Sequence, residues 1–306
     1  MVRSHPNLLD SMTPAQYHDL KFNIKALPDV AKAGHLSASV ISKSRDPILF
    51  LKEAEDEGTG AMRWGSLIDC MWTTPELFQA TYAVMPKDTP RRPTEAQKNA
   101  KKPSESTVAS IAWWNKWEND CKGKILVSQE DHANAVEAVH MLDIHPIARK
   151  LKDTSKKQVA IIGEPHPELY LPKGSKVKSL HDLIPIEGEF ADCAVDLKTT
   201  NSLSENLLHN TMFGFDYPVK MAFYNLALEQ GGYGLRKRIL FIWQRSKKPY
   251  DVVVREMPDQ QLAKSVLQRR CERLQRMDPN DITSHFDTSI TKIHLKEWAI
   301  REYSSG

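Results

Sequence analysis

Residues 181–200 read HDLIPIEGEFADCAVDLKTT, and three of them, Asp182, Asp196 and Lys198, organise the rest of the chain around a chemical question. CAVDLKT (193–199) is rich in strand formers, and successive side chains on a strand point to opposite faces. Asp196 and Lys198 therefore share one face while Leu197 points into a core. Asp182 follows a second β-prone run, SKVKSL (175–180), and a short connection through Pro185 and Gly188 folds that run back beside the third. Two carboxylates and an ammonium then meet at one point. Carboxylates held together need a counterion, and hard oxygen ligands suit Mg²⁺, with Mn²⁺ able to substitute. A Lys beside them is no ligand while protonated, but it can orient or deprotonate an attacking water and stabilise charge on a phosphoryl oxygen. This is a toolkit for metal-assisted phosphodiester hydrolysis. An isolated D-x-K arises often by chance; here it lies inside a β-run, after an earlier Asp and before a helix.

Working outward, QVAIIG (158–163) precedes these runs as another β-prone segment, and a helix is expected over about 216–229, ended by Gly231 and Gly232. Strands are expected over 236–244 and 250–257, joined by a turn around Lys248-Pro249, and a periodic helix over about 259–277. Upstream, helices are expected over 61–72, from about Thr74, over 107–121 and over 128–151. The 128–151 helix takes Ser128 as N-cap and Val136, Val139, His140, Leu142 and Ile147 as buried positions. Trp113, Trp114 and Trp117 read as core or interface residues. MPKDTPRRPTEAQKNAKKPSES (85–106) holds four prolines and almost no large apolar side chain after Met85, so it reads as a mobile basic loop. These elements make an α/β architecture with a mixed central β-sheet flanked by helices. The expected organisation is a lead-in over 1–60, a catalytic domain over 61–280 and a C-terminal tail over 281–306.

The 306 residues, 41% apolar, suffice for a sizeable core without disulfides or structural metal. Forty-two Lys and Arg against 39 Asp and Glu leave a net charge of +3, too little for a histone-like nucleic-acid binder, so any DNA-facing charge must be arranged locally. Mean hydropathy is −0.48. No run approaches a membrane span and the first 20 residues lack a secretory apolar run, so a cytoplasmic protein is expected. Cys70, Cys121, Cys193 and Cys271 are scattered without a C-x-x-C pair and read as free buried thiols.

The Asp182, Asp196, Lys198 pattern resembles the PD-(D/E)xK nuclease superfamily, and within it the exonuclease VIII (RecE-type) family of phage-style recombination. Five segments in order carry the likeness: the opening YHDLKFNIKALPDVAKAGHLSASVISKSRDPILFLKE (17–53), MRWGSLIDCMWTTPELF (62–78), VDLKTT (195–200), FDYPVKMAFYNLAL (215–228) and ILFIWQRSKKPYDVVVREM (239–257). The chain departs from that family at three places. Asp69 stands where the family has a metal-ligating His, Lys220 where it has a Gln between Tyr217 and Tyr224, and SLHDL replaces the arginine-proline lead to the first acid. Tyr217, Lys220 and Tyr224 fall on one helix face, and Lys220 is expected either to contact phosphate or to pair with Asp69.

The resemblance implies a nuclease that degrades linear double-stranded DNA from the 5′ end, leaving a 3′ single strand for an annealing partner, in bacterial or phage-infected cytoplasm. It implies Asp69, Asp182, Asp196 and the Leu197 carbonyl as metal ligands, Lys198, Lys220 and Tyr224 beside them, and Glu164 as a further candidate acid. His181, next to Asp182, is expected to face away from the metal. A ring of subunits whose channel holds the duplex is implied too, with Tyr217, Lys220, Arg91, Arg92, Lys98, Lys101, Lys102, Arg236, Lys237 and Arg238 as DNA-facing candidates. An endonuclease on the same fold, and a decayed nuclease serving as a DNA-binding or assembly protein, stay open beside this reading.

Overall fold

The computed structural model describes residue 12 and residues 14–52, 59–257 and 260–285. Within them the β-prone runs become a six-stranded mixed sheet. Its strands are β1 (His35–Ser37), then, after a separate two-stranded parallel ribbon of β2 (Tyr82–Val84) and β3 (Ile125–Val127), β4 (Ser155–Gly163), β5 (Lys176–Pro185), β6 (Cys193–Thr200), β7 (Arg238–Arg245) and β8 (Val252–Glu256). β4 runs antiparallel to β5 with Val159 opposite His181, and β6 runs parallel to β7 with Asp196 opposite Phe241 and Lys198 opposite Trp243. β5 meets β6 antiparallel at Leu183 and Val195, as the Pro185 and Gly188 connection requires. β1 adds in parallel to the start of β5, and β8 closes the far side as a hairpin with β7.

Short helices α1 (Pro14–Asp19), α2 (Ala38–Lys43) and α3 (Pro47–Lys52) lead in. They are followed by α4 (Gly60–Thr73), α5 (Phe78–Thr81), α6 (Glu95–Lys98), α7 (Glu105–Asp120), α8 (Gln129–Ile144) and α9 (Pro146–Asp153). After β6 come α10 (Glu205–Gly214) and α11 (Tyr217–Gln230), which return the chain to the parallel strand β7, and α12 (Gln260–Leu274) follows β8.

Alternation along the strands feeds two cores. Phe241 and Trp243 pack with Ile41 of α2, Phe223 and Leu226 of α11 and Leu267 of α12. Leu240 and Ile242 pack with Val195 and Leu197 of β6, Ile68 and Trp72 of α4 and Leu142 of α8. Of the described lead-in residues, Leu36, Ile41 and Phe50 lie in the first core.

Four expectations are corrected. Asp182 lies inside β5, whose pairing with β4 extends through Pro185, and not beyond its end. The helix expected over 128–151 breaks at Pro146, which lacks an amide proton to continue the ladder. His145 is extended there, and its Nδ1 accepts from the Ala148 amide at 3.2 Å to cap α9. The face of α8 and α9 that is buried is Ala135, Ala138, Leu142, Ala148 and Leu151, whereas Val136 and Ile147 are 50% and 43% exposed and His140 is exposed. Alanines let α8 lie close against α4, a requirement that large apolar residues conceal. Finally, the 85–106 segment is fastened to α7: Trp114 Nε1 donates to Pro90 O at 3.0 Å and Ser110 Oγ to Arg91 O at 2.7 Å. The Arg92 guanidinium lies over the Trp114 ring at 4.7 Å and pairs with Glu118.

Trp114 is buried, with Trp113 and Trp117 half-buried beside it. Cys121, Cys193 and Cys271 are buried free thiols, and Cys70 is half-buried. Among the described residues no helix is long and apolar enough to cross a membrane. Residues 286–306, most of the expected tail, lie outside the described residues.

Candidate active site

The site lies where β5 and β6 meet, between α4 and α11. Asp196 and Lys198 share a face as the alternation requires, and Lys198 Nζ stands 2.5 Å from Asp196 Oδ2. The same ammonium donates to the Leu197 carbonyl at 3.1 Å. Asp182 is bound to the neighbouring strand, its Oδ2 accepting the Leu197 amide at 3.1 Å. Burial, and then the charges of Asp69 and Asp196, push the Asp182 carboxyl well above the ordinary carboxylate range. For Lys198, burial works against the charged form, but Asp196, Asp182 and Tyr217 outweigh it and hold the ammonium protonated.

Asp69 enters from α4, which approaches β6 so closely that a Cβ on Gly65 would stand 3.4 Å from Thr199 Oγ1. The Asp69 carboxyl is fastened at Oδ2 and has Thr73 beside Oδ1. Gln158 Nε2 donates to Oδ2 at 2.5 Å, and Thr73 Oγ1 lies 3.4 Å from Oδ1 while donating to the Asp69 carbonyl at 2.7 Å. Burial chiefly, with Asp196 adding to it, lifts its pKa to about 6. Gln158 escaped the sequence reading because a lone Gln in a β-run carries no motif. In the β4–β5 register it lies between Lys157, opposite Leu183, and Val159, opposite His181, and its backbone takes the left-handed φ of 50°, unusual within a strand.

On α11, Tyr217, Lys220 and Tyr224 are half-buried while their neighbours from Pro218 to Leu228 are buried, so one helix face lines the site. Lys198 Nζ and Lys220 Nζ both stand over the Tyr217 ring, 5.3 and 5.2 Å from its centroid. Burial, and then the like charge of Lys198, bring Lys220 down to about 8. Burial foremost, with Asp196 and Asp182 adding to it, pushes the Tyr224 hydroxyl upward. Among the described residues no ion pair joins Lys220 to Asp69: Gln158 holds Asp69 Oδ2, and Lys220 lies among Lys198, Asp196, Arg45 and Lys43. His181 turns away from the acids, sharing a 2.9 Å hydrogen bond with Ser179 Oγ and packing 5.1 Å from Tyr224.

Other candidates fall elsewhere. Glu164 follows β4 at Gly163, which pairs with Val177, five residues along β5 from Asp182 and so about 16 Å away at the rise of a strand. It lines a small apolar cavity with Ile161, His166 and Phe223. Arg236 is buried and held by Asn225 and the Ala191 carbonyl, Arg238 pairs with Glu256, and Lys98 with Glu95. Arg91, Lys101, Lys102 and Lys237 are exposed, and none makes a described contact with the site.

The donors suit Mg²⁺ in kind: three carboxylates, two of them raised by burial and then by neighbouring acids, and one carbonyl. As placed, no three His, Cys, Asp or Glu side chains among the described residues are gathered closely enough to form a finished metal shell. Lys198 serves as the acids' counterion.

No family model matches this chain, and no curated protein matches it. Among solved structures, it is similar to a candidate exonuclease from Eubacterium rectale, at 14% identity and a TM-score of 0.51, over 96% of this chain and 98% of that one. A phage-related exonuclease from Haemophilus somnus is 10% identical over 65% of this chain and 92% of its own, with a TM-score of 0.31. The mixed sheet flanked by helices is thus the fold of the Eubacterium rectale protein, adopted here by a sequence that shares only one residue in seven with it.

Proposed function

We propose that the chain is a metal-dependent nuclease that degrades linear double-stranded DNA from 5′ ends, leaving 3′ single strands for recombination by strand annealing. The observation that carries this reading is the convergence of Asp182, Asp196 and Lys198 at the β5–β6 junction, with Asp69 facing them from α4. Likeness in fold to a candidate exonuclease supports it. Asp69, Asp182, Asp196 and the Leu197 carbonyl would hold Mg²⁺ or Mn²⁺. Such an ion supplies Lewis-acid polarisation of the phosphoryl oxygen and a water of lowered pKa.

Lys198, ion-paired with Asp196, keeps both roles the sequence leaves to it: as an ammonium it orients water and steadies negative charge on the phosphoryl oxygen, and an ion on Asp182 and Asp196 would free it to take a proton. Lys220, near 8, stays mostly charged at neutral pH and offers a second cation to phosphate, backed by the Tyr217 face. Gln158 fixes the orientation of the Asp69 carboxylate through Oδ2. A duplex-holding homo-oligomeric ring and a single-strand annealing partner extend the same reading.

The test is linear duplex DNA labelled at the 5′ or the 3′ end, beside a covalently closed circle, incubated with Mg²⁺ or EDTA. Wild type is expected to release the 5′ label with Mg²⁺ alone and to spare the circle, and Asp196→Ala to release nothing. Equal release by both proteins refutes the assignment, and cutting of the circle makes the enzyme an endonuclease.

A further inference from the structure

Beside the site, the junction between α10 and α11 exposes aromatic surface where cations gather. Phe215 is 62% exposed and Phe213 48%. Two exposed phenylalanines side by side at the edge of the candidate site, with cations around them, make an apolar patch with a polar rim, the kind of surface that marks a ligand site. Phe215 is nonetheless tied to the site. Its ring stacks on Tyr217 at 5.9 Å and 22°, and Tyr217 in turn carries Lys198 and Lys220 against its ring. One continuous path of π faces runs from solvent to the two ammonium groups.

The backbone under Phe215 is fastened on both sides. Arg45 Nη1 donates to the Gly214 carbonyl at 3.2 Å. Asp216, in the left-handed conformation with φ 62°, is gripped through both carboxylate oxygens by the buried Arg270, and its carbonyl receives the Lys220 amide. Exposed Arg45 and Lys43 lie on the same side as Lys220. A rigid exposed aromatic with basic residues around it matches a nucleic-acid strand, whose bases stack while its phosphates meet cations. A protein partner would find the same cations a cost unless it were acidic.

We infer that Phe215 is a stacking platform for the unpaired terminal nucleobase of the DNA strand whose phosphate enters the site, and that Arg45 carries an adjoining phosphate. This assignment rests on the nuclease reading and adds its end recognition. Stacking acts on every base, so the platform confers no sequence preference; it holds an end in the unpaired state that cleavage one nucleotide at a time requires.

The experiment measures binding by fluorescence anisotropy in EDTA, so that cleavage cannot intervene. The probes are a short duplex with ordinary termini and the same duplex with abasic residues at its last three 5′ positions. Wild type is expected to bind the ordinary end roughly 5- to 150-fold more tightly than the abasic one, the range of base–aromatic stacking. Phe215→Ala should bind both ends alike, at the wild-type affinity for the abasic end, and Phe215→Trp should restore the preference. If Phe215→Ala still distinguishes the two ends while wild type digests DNA with Mg²⁺, the platform is refuted and the nuclease reading stands. If wild type neither binds DNA nor releases label with Mg²⁺, both fall. A change of sedimentation coefficient in Phe215→Ala would make the patch a contact between copies of the chain and overturn the assignment.

Discussion

His181→Gln isolates a buried neutral imidazole from all other titrations of the molecule. His181 is 4% exposed, and burial first, then the positive charge of Arg236, bring its pKa from 6.5 to about 3. Above pH 6.5 the imidazole is neutral in both states, and stability is fully present. As pH falls below 6.5 the unfolded chain binds a proton that the native state refuses, and stability is lost until the pH nears 3. Each unit is worth about 1.4 kcal/mol, so the native state gives up about 2 kcal/mol to this residue between pH 6.5 and 5. Asp69 and Asp182 carry the opposite sign, because their raised pKa values make the native state hold protons in acid. Comparing wild type with the variant cancels their contribution. Gln is chosen because its amide reaches the Nε2 position that meets Ser179 Oγ at 2.9 Å. Urea unfolding in EDTA from pH 5 to 8 gives the stability difference, wild type minus variant. It is expected to be constant above pH 7 and to fall by about 2 kcal/mol between pH 7 and 5. A flat difference over that range refutes the burial of a neutral His181.

Gln158→Ala removes the donor to Asp69 Oδ2, and a roughly 10- to 100-fold loss of Mg²⁺ affinity is expected from titrating activity against the ion; an unchanged Mg²⁺ dependence refutes its positioning role. Arg270→Met strands the buried Asp216 carboxylate, and should cost about 3–5 kcal/mol in urea unfolding while also loosening the turn that carries Phe215. Ala138→Leu forces a larger side chain between α8 and its neighbours and should cost about 1–3 kcal/mol, while Val136→Lys on the exposed side should change stability by under about 0.5 kcal/mol. A larger cost for Val136→Lys than for Ala138→Leu would mean that α8 faces the other way.

The Asp196, Lys198 geometry was legible in the sequence because a strand's period of two is fixed by the backbone, whatever surrounds it. The return of β5 beside β6 was legible from Pro185 and Gly188, and the shared face of Tyr217, Lys220 and Tyr224 from helical spacing. Helix burial was less so. On α8 the sequence offers valine and isoleucine, and the fold buries alanines, because the distance between α8 and α4 is a property of both helices together. The basic segment 85–106 looked unfastened because its partners, Trp114, Ser110 and Glu118, lie on a helix still to come.

What the sequence by itself determined is therefore local: which residues share a face, where strands turn back, and which acids and which lysine meet. What only the tertiary structure decided is which distant groups complete them. Gln158 is 89 residues from Asp69 and holds its carboxylate, and Arg270 is 54 residues from Asp216 and fixes the turn at Phe215. Glu164, a candidate through the resemblance, and Arg236, a candidate through its charge, are carried out of the site. Periodicity belongs to the backbone and survives in any context; the partner of a buried polar group is set by packing across the whole chain, and no short stretch of sequence contains it.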